Sequence, residues 1–144
     1  MSNEYKDHMA DLRATFDAKM WEVAYLYDGW KKTFIPKMMD ELFDTLGSYV
    51  EDFEVLQIKD KFGKMCLYWN WVHRDYTDAE AEDLNALFKI INNTIIKYEN
   101  ISGKTCIKCG GKATHFSTGW ACPYCDSCRD RSEGVSIVIQ DQEE

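Results

Sequence analysis

The chain contains no long apolar run and no leader-like start. Its longest apolar stretch, residues 65–72, includes Asn70 and is far too short to cross a bilayer. The N-terminus has no basic segment followed by an apolar one, so no signal peptide is expected. We therefore expect no membrane partner and a cytoplasmic protein. In a reducing cytosol, clustered cysteines are typical of metal ligands rather than of disulfides.

The common motifs of catalysis are missing as well. There is no nucleophile elbow, P-loop, dinucleotide-binding fingerprint or His-Glu-x-x-His pair. The three histidines are scattered, and none belongs to a recognisable acid/base pair. We expect a protein that is not an enzyme and has no catalytic residues. A metal- or thiol-dependent enzyme is the least favoured alternative.

Positive charge is scarce in this 144-residue chain, which has 17 basic and 25 acidic side chains and a net charge of −8. Residues 1–101 carry −7, residues 102–131 carry +3, and residues 132–144 carry −4. Long-range attraction to nucleic acid requires a net basic surface. Any contact with nucleic acid is therefore expected through residues 102–131 only.

Hydrophobic periodicity predicts an α+β fold. A period near 3.6 predicts helices over about residues 4–29, 34–47 and 78–100, the last one opened by a Thr77-x-x-Glu80 capping box. Alternating residues on both sides of a glycine-bearing turn predict a β-hairpin over about 53–72. We expect an α+β body over 1–101, with helices packed on a small antiparallel sheet. A zinc-ribbon-like segment over 102–131 and a short strand with an acidic tail over 132–144 follow.

Five of the six cysteines are concentrated near the C-terminus, between positions 106 and 128. Cys106 and Cys109 form one Cys-x-x-Cys knuckle. The second knuckle has two candidate registers, Cys122 with Cys125 or Cys125 with Cys128. Two such knuckles are the sequence form of a four-thiolate zinc site, and we expect one structural zinc ion.

Spacing favours the second register without excluding the first. Cys125 with Cys128 leaves a loop of 15 residues after Cys109, which lies in the range of zinc ribbons. In the other register Pro123 would remove an amide from the knuckle. Cys122 and His115 remain competing ligands, although His115 stands alone in the loop and is expected at the surface. Residues 122–125 also spell a dithiol redox motif, but the βαβ context that it requires is missing.

The chain also resembles a family of small, uncharacterised bacteriophage and prophage proteins with a C-terminal zinc-ribbon-like segment. The similarity covers roughly residues 29–129. Its matching pieces, in chain order, are Gly29-Trp30, the Lys-x-Lys-Phe-Gly turn at 59–63 with an aromatic strand, residues 99–102, Cys106-x-x-Cys109-Gly110, Gly119-Trp120 and a closing cysteine pair.

This resemblance implies which cysteines close the site. In the family the closing pair begins five residues after the Gly-Trp tryptophan, which here is Trp120. That count implies Cys125 with Cys128, and hence four metal ligands: Cys106, Cys109, Cys125 and Cys128. Two departures are Lys64, where a second glycine often follows Phe-Gly, and the additional Cys122.

For function, we expect a non-catalytic, zinc-containing accessory protein of phage type in the cytosol of a bacterial host. It would bind a host protein, another host macromolecule or a small signalling ligand, and so modulate host defence or transcription. The alternative is a nucleic-acid-binding zinc-ribbon regulator. Trp69 and Trp71 are more simply explained as core residues than as a ligand platform. The candidate partner-binding residues are Tyr68, Trp69, Trp71, Lys108, Lys112, His115, Phe116, Trp120 and Arg129.

Overall fold

The computed structural model describes residues 3–129 and the backbone of residues 137–138. Its helices are α1 (Asn3–Glu22), α2 (Asp28–Lys31), α3 (Phe34–Leu46) and α4 (Asp78–Ser102), with a 3-10 turn at Gly47–Asp52. Its strands are β1 (Ala24–Tyr25), β2 (Phe53–Lys61), β3 (Lys64–Trp71), β4 (His115–Phe116), β5 (Pro123–Tyr124) and β6 (Ile137–Val138). The predicted α+β class is confirmed. The predicted acidic tail and Arg131 lie outside the described residues.

The strands form two small sheets. In the first, of order β1-β2-β3, β2 and β3 are the antiparallel pair of the predicted hairpin, and β1 is parallel to β2. The second, of order β5-β4-β6, is antiparallel and belongs to the cysteine-rich segment. Within the described part of the chain, no helix is long and apolar enough to cross a membrane.

The core forms where the helices cover one face of the first sheet. Helix α3 buries residues at the spacing of one helix face, among them Ile35, Met38 and Leu42. The hairpin contributes Ile58 and Met65, which have no exposed surface. Helix α4 begins at the predicted capping box: the Glu80 amide donates to Thr77 Oγ1 at 3.1 Å, and the Thr77 amide donates to Glu80 Oε1 at 2.9 Å.

One predicted boundary is wrong. Helix α1 ends at Glu22 rather than near residue 29, and Ala24–Tyr25 pair with Ile58 and Lys59 of β2. The apolar period continues past Glu22, which is why the sequence predicted a longer helix. Those later residues are buried by contacts with segments distant in the chain, not by one helix face. Gly29, at the predicted end of this helix, instead lies inside the short helix α2.

The cysteine-rich segment is packed into the body rather than appended to it. The Gly29 amide donates to the Ile107 carbonyl at 2.8 Å, and the indole of fully buried Trp30 donates to the Thr105 carbonyl at 2.9 Å. Ile107 and Cys122 belong to the same hydrophobic core as the helices. A Cβ atom at Gly29 would lie 2.2 Å from the carbonyl oxygen of Cys106, so only glycine allows this approach.

We predict that Gly29→Ala destabilises the whole chain. The new methyl group would meet rigid backbone, and overpacking of this kind costs about 1–3 kcal/mol or more. Gly103→Ala is the matched control, since its Cβ would meet the flexible Lys64 side chain at 3.2 Å and the Asn100 carbonyl oxygen at 3.7 Å, an ordinary contact distance. It should change stability by at most about 1 kcal/mol. Urea unfolding followed by tryptophan fluorescence measures both. Equal unfolding midpoints for the two variants would contradict the role assigned to Gly29.

Candidate metal centre

Four cysteine sulfurs converge between the two knuckles. The Sγ atoms of Cys106, Cys109, Cys125 and Cys128 all lie within 4.8 Å of one another. The Sγ atoms of Cys109 and Cys125 are 3.6 Å apart, and all four cysteines are free thiols. A tetrahedral site with metal–sulfur bonds of about 2.3 Å has sulfurs about 3.8 Å apart. The arrangement therefore matches a four-thiolate metal site.

Backbone hydrogen bonds shape the first knuckle. The Cys106 amide donates to the Gly111 carbonyl at 2.8 Å, and the Gly110 amide donates to the Cys106 carbonyl at 3.0 Å. The Gly111 amide then donates to Cys109 Sγ at 3.3 Å. Gly110 has φ +81, a left-handed conformation that glycine adopts without strain. The Gly111 amide therefore faces a sulfur, whereas the Gly110 amide closes the turn on the Cys106 carbonyl.

The second knuckle is a single turn that directly follows β5. The amides of Cys128 and Arg129 both donate to the Cys125 carbonyl at 3.2 Å. This turn points the Cys125 and Cys128 sulfurs back at the first knuckle. The register with Cys125 and Cys128 is thus the one that the fold assembles.

The pKa of one of the four closely packed thiols is lowered, and the pKa of another is raised. Burial opposes ionisation of Cys106, but backbone N–H groups of Cys109, Cys125 and Lys108 outweigh burial and lower the pKa of this thiol to about 6. Hydrogen bonds to the Cys125 and Cys109 thiols raise the pKa of Cys128 to about 12. Once one thiol is ionised, its negative charge disfavours ionisation of the neighbouring thiols. A bound cation would remove this conflict, because coordinating thiols lose their protons.

Cys122 lies outside the sulfur cluster, in the interface with the body. It is buried, and its Sγ lies 3.4 Å from the Tyr27 hydroxyl, which donates to Asp60 Oδ2 at 2.8 Å. Burial, together with the hydrogen bonds to Cys122 and Asp60, raises the pKa of Tyr27. Cys122 therefore packs and hydrogen-bonds inside the protein, and the fold directs it away from the four sulfurs.

The aromatic residues of β3 divide between the two faces of the sheet. Trp69 and Trp71 are half-buried against the core, and the Trp69 indole donates to Asn92 Oδ1 at 3.0 Å. Both rings keep part of their surface exposed, and their partner-binding role stays a prediction. Tyr68 points the other way and is exposed, with the Lys59 ammonium 5.7 Å from its ring centre.

The candidates in the cysteine-rich segment also separate by exposure. His115, expected at the surface, is buried, because β4 is the central strand of its sheet; its Nδ1 lies 2.8 Å from Thr114 Oγ1. Phe116 is half-buried, and Arg129 pairs with Asp126 at 3.2 Å. The remaining three candidates, Lys108, Lys112 and Trp120, are exposed.

Sequence reasoning missed one exposed residue that the fold brings to Trp120. Phe62, at the tip of the β2–β3 hairpin, stacks on the Trp120 ring with 5.8 Å between ring centres. The sequence signal was an aromatic residue placed inside a turn next to glycine. Its partner could not be read from the sequence, because the contact joins two distant loops.

Fold and site together define an α+β protein with a four-cysteine cluster in metal-binding geometry near its C-terminus. Comparisons of the chain with protein-family models, with curated proteins and with solved structures gave no match.

We predict that the protein binds one thiophilic divalent metal ion per chain through these four sulfurs. Cys128→Ser should lower the metal content by at least half after dialysis against a weak chelator, because serine is a poor ligand for a soft metal. Cys122→Ser is the matched control and should retain the metal. Elemental analysis by mass spectrometry gives the stoichiometry. Metal loss in Cys122→Ser with full retention in Cys128→Ser would show that the other register holds the ion.

Proposed function

We propose that this protein is a non-catalytic binding protein whose C-terminal segment is held by one structural zinc ion. The observation that carries the proposal is the closed set of four sulfurs, all within 4.8 Å of one another. Four thiolates in a tetrahedron are a preferred environment of zinc in structural sites. The zinc would fix the segment that lies against α2 and the hairpin turn.

The donor set supports a structural ion rather than a catalytic one. Catalytic zinc keeps one position open for water or substrate, whereas four protein thiolates fill the tetrahedron. Within residues 3–129, these four cysteines are the only group of at least three metal-ligating side chains that converge on one point. An enzyme would need chemistry from elsewhere, and no acid/base pair was recognised in the sequence.

Binding to a host macromolecule is the remaining part of the proposal. The resemblance to an uncharacterised phage and prophage family supplies only the bacterial setting; the binding role is supported by exposed aromatic rings at the tip of the hairpin and in the cysteine-rich segment. A chain of this kind would act by occupying its partner, and so would modulate a host defence system or transcription.

Cobalt substitution tests the structural role of the metal. We expect Co²⁺ to replace zinc and to give the absorption spectrum of a tetrahedral four-thiolate complex, since it accepts the same ligands. Added azide should leave that spectrum unchanged, because no coordination position is open. A spectral shift on adding azide would show an open position and would favour a catalytic metal.

Affinity capture tests the binding role. The zinc-loaded protein, immobilised and exposed to a bacterial lysate with and without nuclease, should recover a stoichiometric macromolecular partner. Cys106→Ser, which loses a zinc ligand, is the matched control and should recover much less. Mass spectrometry and nucleic-acid staining identify what is bound. If the zinc-loaded protein and the variant recover the same background, the binding proposal is wrong.

A further inference from the structure

Two exposed aromatic rings meet at the junction of the hairpin and the cysteine-rich segment. Phe62 is 61% exposed and Trp120 is 66% exposed. Their ring centres are 5.8 Å apart and their planes are inclined by 25°, so the rings are stacked. Exposed apolar residues are normal when they occur singly, whereas contiguous exposed apolar surface is typical of binding sites.

The backbone is strained in both loops that carry these rings. Phe62 has φ +53 and Ala121, next to Trp120, has φ +55; neither is glycine. Such conformations persist only where the surroundings impose them, and they are concentrated at binding sites. Here the surroundings are the two loops themselves, since a Cβ at Gly63 would lie 2.0 Å from the Ala121 carbonyl oxygen.

The two segments that carry the rings have a net charge opposite to that of the rest of the body. Residues 57–68 carry Lys59, Lys61 and Lys64 against Asp60 alone, and residues 102–129 carry +3. The remainder of residues 1–101 carries −9. Asp60 is engaged within the fold, because its carboxylate accepts from the Tyr27 hydroxyl and from the Gly63 amide, each at 2.8 Å.

We propose that Phe62 and Trp120 form a stacking platform for single-stranded nucleic acid, with Lys61 and Lys64 contacting its phosphates. Bases stack on exposed aromatic rings with little sequence preference, and nearby lysines follow the backbone. The inference rests on the proposed function, because it names the class of macromolecule that is bound.

A protein partner fits this surface less well. A stable protein interface buries about 800 Å² on each partner and is centred on an apolar patch. The exposed apolar surface here is two rings, and Lys61, Lys64 and Thr118, which lie within two residues of them in sequence, are exposed and polar. Two rings with lysines beside them match a few stacked nucleotides rather than a protein surface.

The test is fluorescence anisotropy with labelled single-stranded oligonucleotides of about 12 nucleotides, as DNA and as RNA, at low salt. Trp120→Ala and Trp120→Leu should each weaken binding by about 5- to 150-fold, the range for loss of one stacked base. Trp120→Phe, which keeps an aromatic ring, should bind more tightly than either of these variants. Tyr5→Ala, which alters an exposed aromatic on α1, is the control and should bind as the unaltered chain does.

Phe62→Gly separates binding from folding. Glycine removes the strained φ at this position, so the urea midpoint should not fall, while binding should weaken by a similar factor. The double variant Lys61→Ala/Lys64→Ala should reduce the slope of log affinity against log salt by about 1.4, at about 0.7 for each phosphate contact. Lys37→Ala, on α3, should leave the slope unchanged.

Absence of binding to both oligonucleotides at low salt, or equal binding by Trp120→Leu, would overturn the inference. Capture of a nuclease-resistant host protein by the unaltered chain, lost in Trp120→Ala, would assign the surface to a protein partner. In that case the inference is wrong while the proposed binding function stands. If affinity capture and oligonucleotide binding both fail, the inference and the proposed binding function are both wrong.

Discussion

The structure depends on one close backbone approach, between Gly29 in α2 and the first cysteine knuckle. The Gly29 amide donates to the Ile107 carbonyl, and the neighbouring Trp30 places its fully buried indole against the Thr105 carbonyl. This contact joins the sulfur cluster to the hydrophobic core. Structural zinc contributes about 10–16 kcal/mol of apparent binding free energy, and a domain is stable by only about 5–15 kcal/mol. Metal binding and folding of the body should therefore be strongly linked.

The same docking creates the surface to which we assign binding. The hairpin turn at Gly63 lies directly on the carbonyl of Ala121, which leaves Phe62 and Trp120 stacked and exposed. A metal bound at the four sulfurs would support this surface indirectly, since Trp120 and the second cysteine knuckle belong to the same segment.

Local sequence signals predicted the local structure. Helix α3, the capped start of α4 and the hairpin followed from hydrophobic period, cap and turn residues, since each is determined by neighbours in sequence. Strand β1 was missed because its partners, Ile58 and Lys59, are remote in the chain. The burial of His115 was missed for the same kind of reason: it depends on β5 and β6 flanking β4. Spacing predicted two cysteine knuckles and left two registers for the second, between which the family resemblance chose; the packing of the first knuckle against Gly29 could not be predicted.

Amide hydrogen exchange at Gly29 tests the central claim, that the metal centre and the body form one unit. The experiment compares the zinc-loaded protein with the same protein after complete removal of the metal by a chelator. We predict that the Gly29 amide is strongly protected with zinc and loses most of its protection without it, together with the amides of the β2–β3 hairpin tip. Undiminished protection of Gly29 in the metal-free protein would show that the body holds the knuckle without the ion, and would contradict this account.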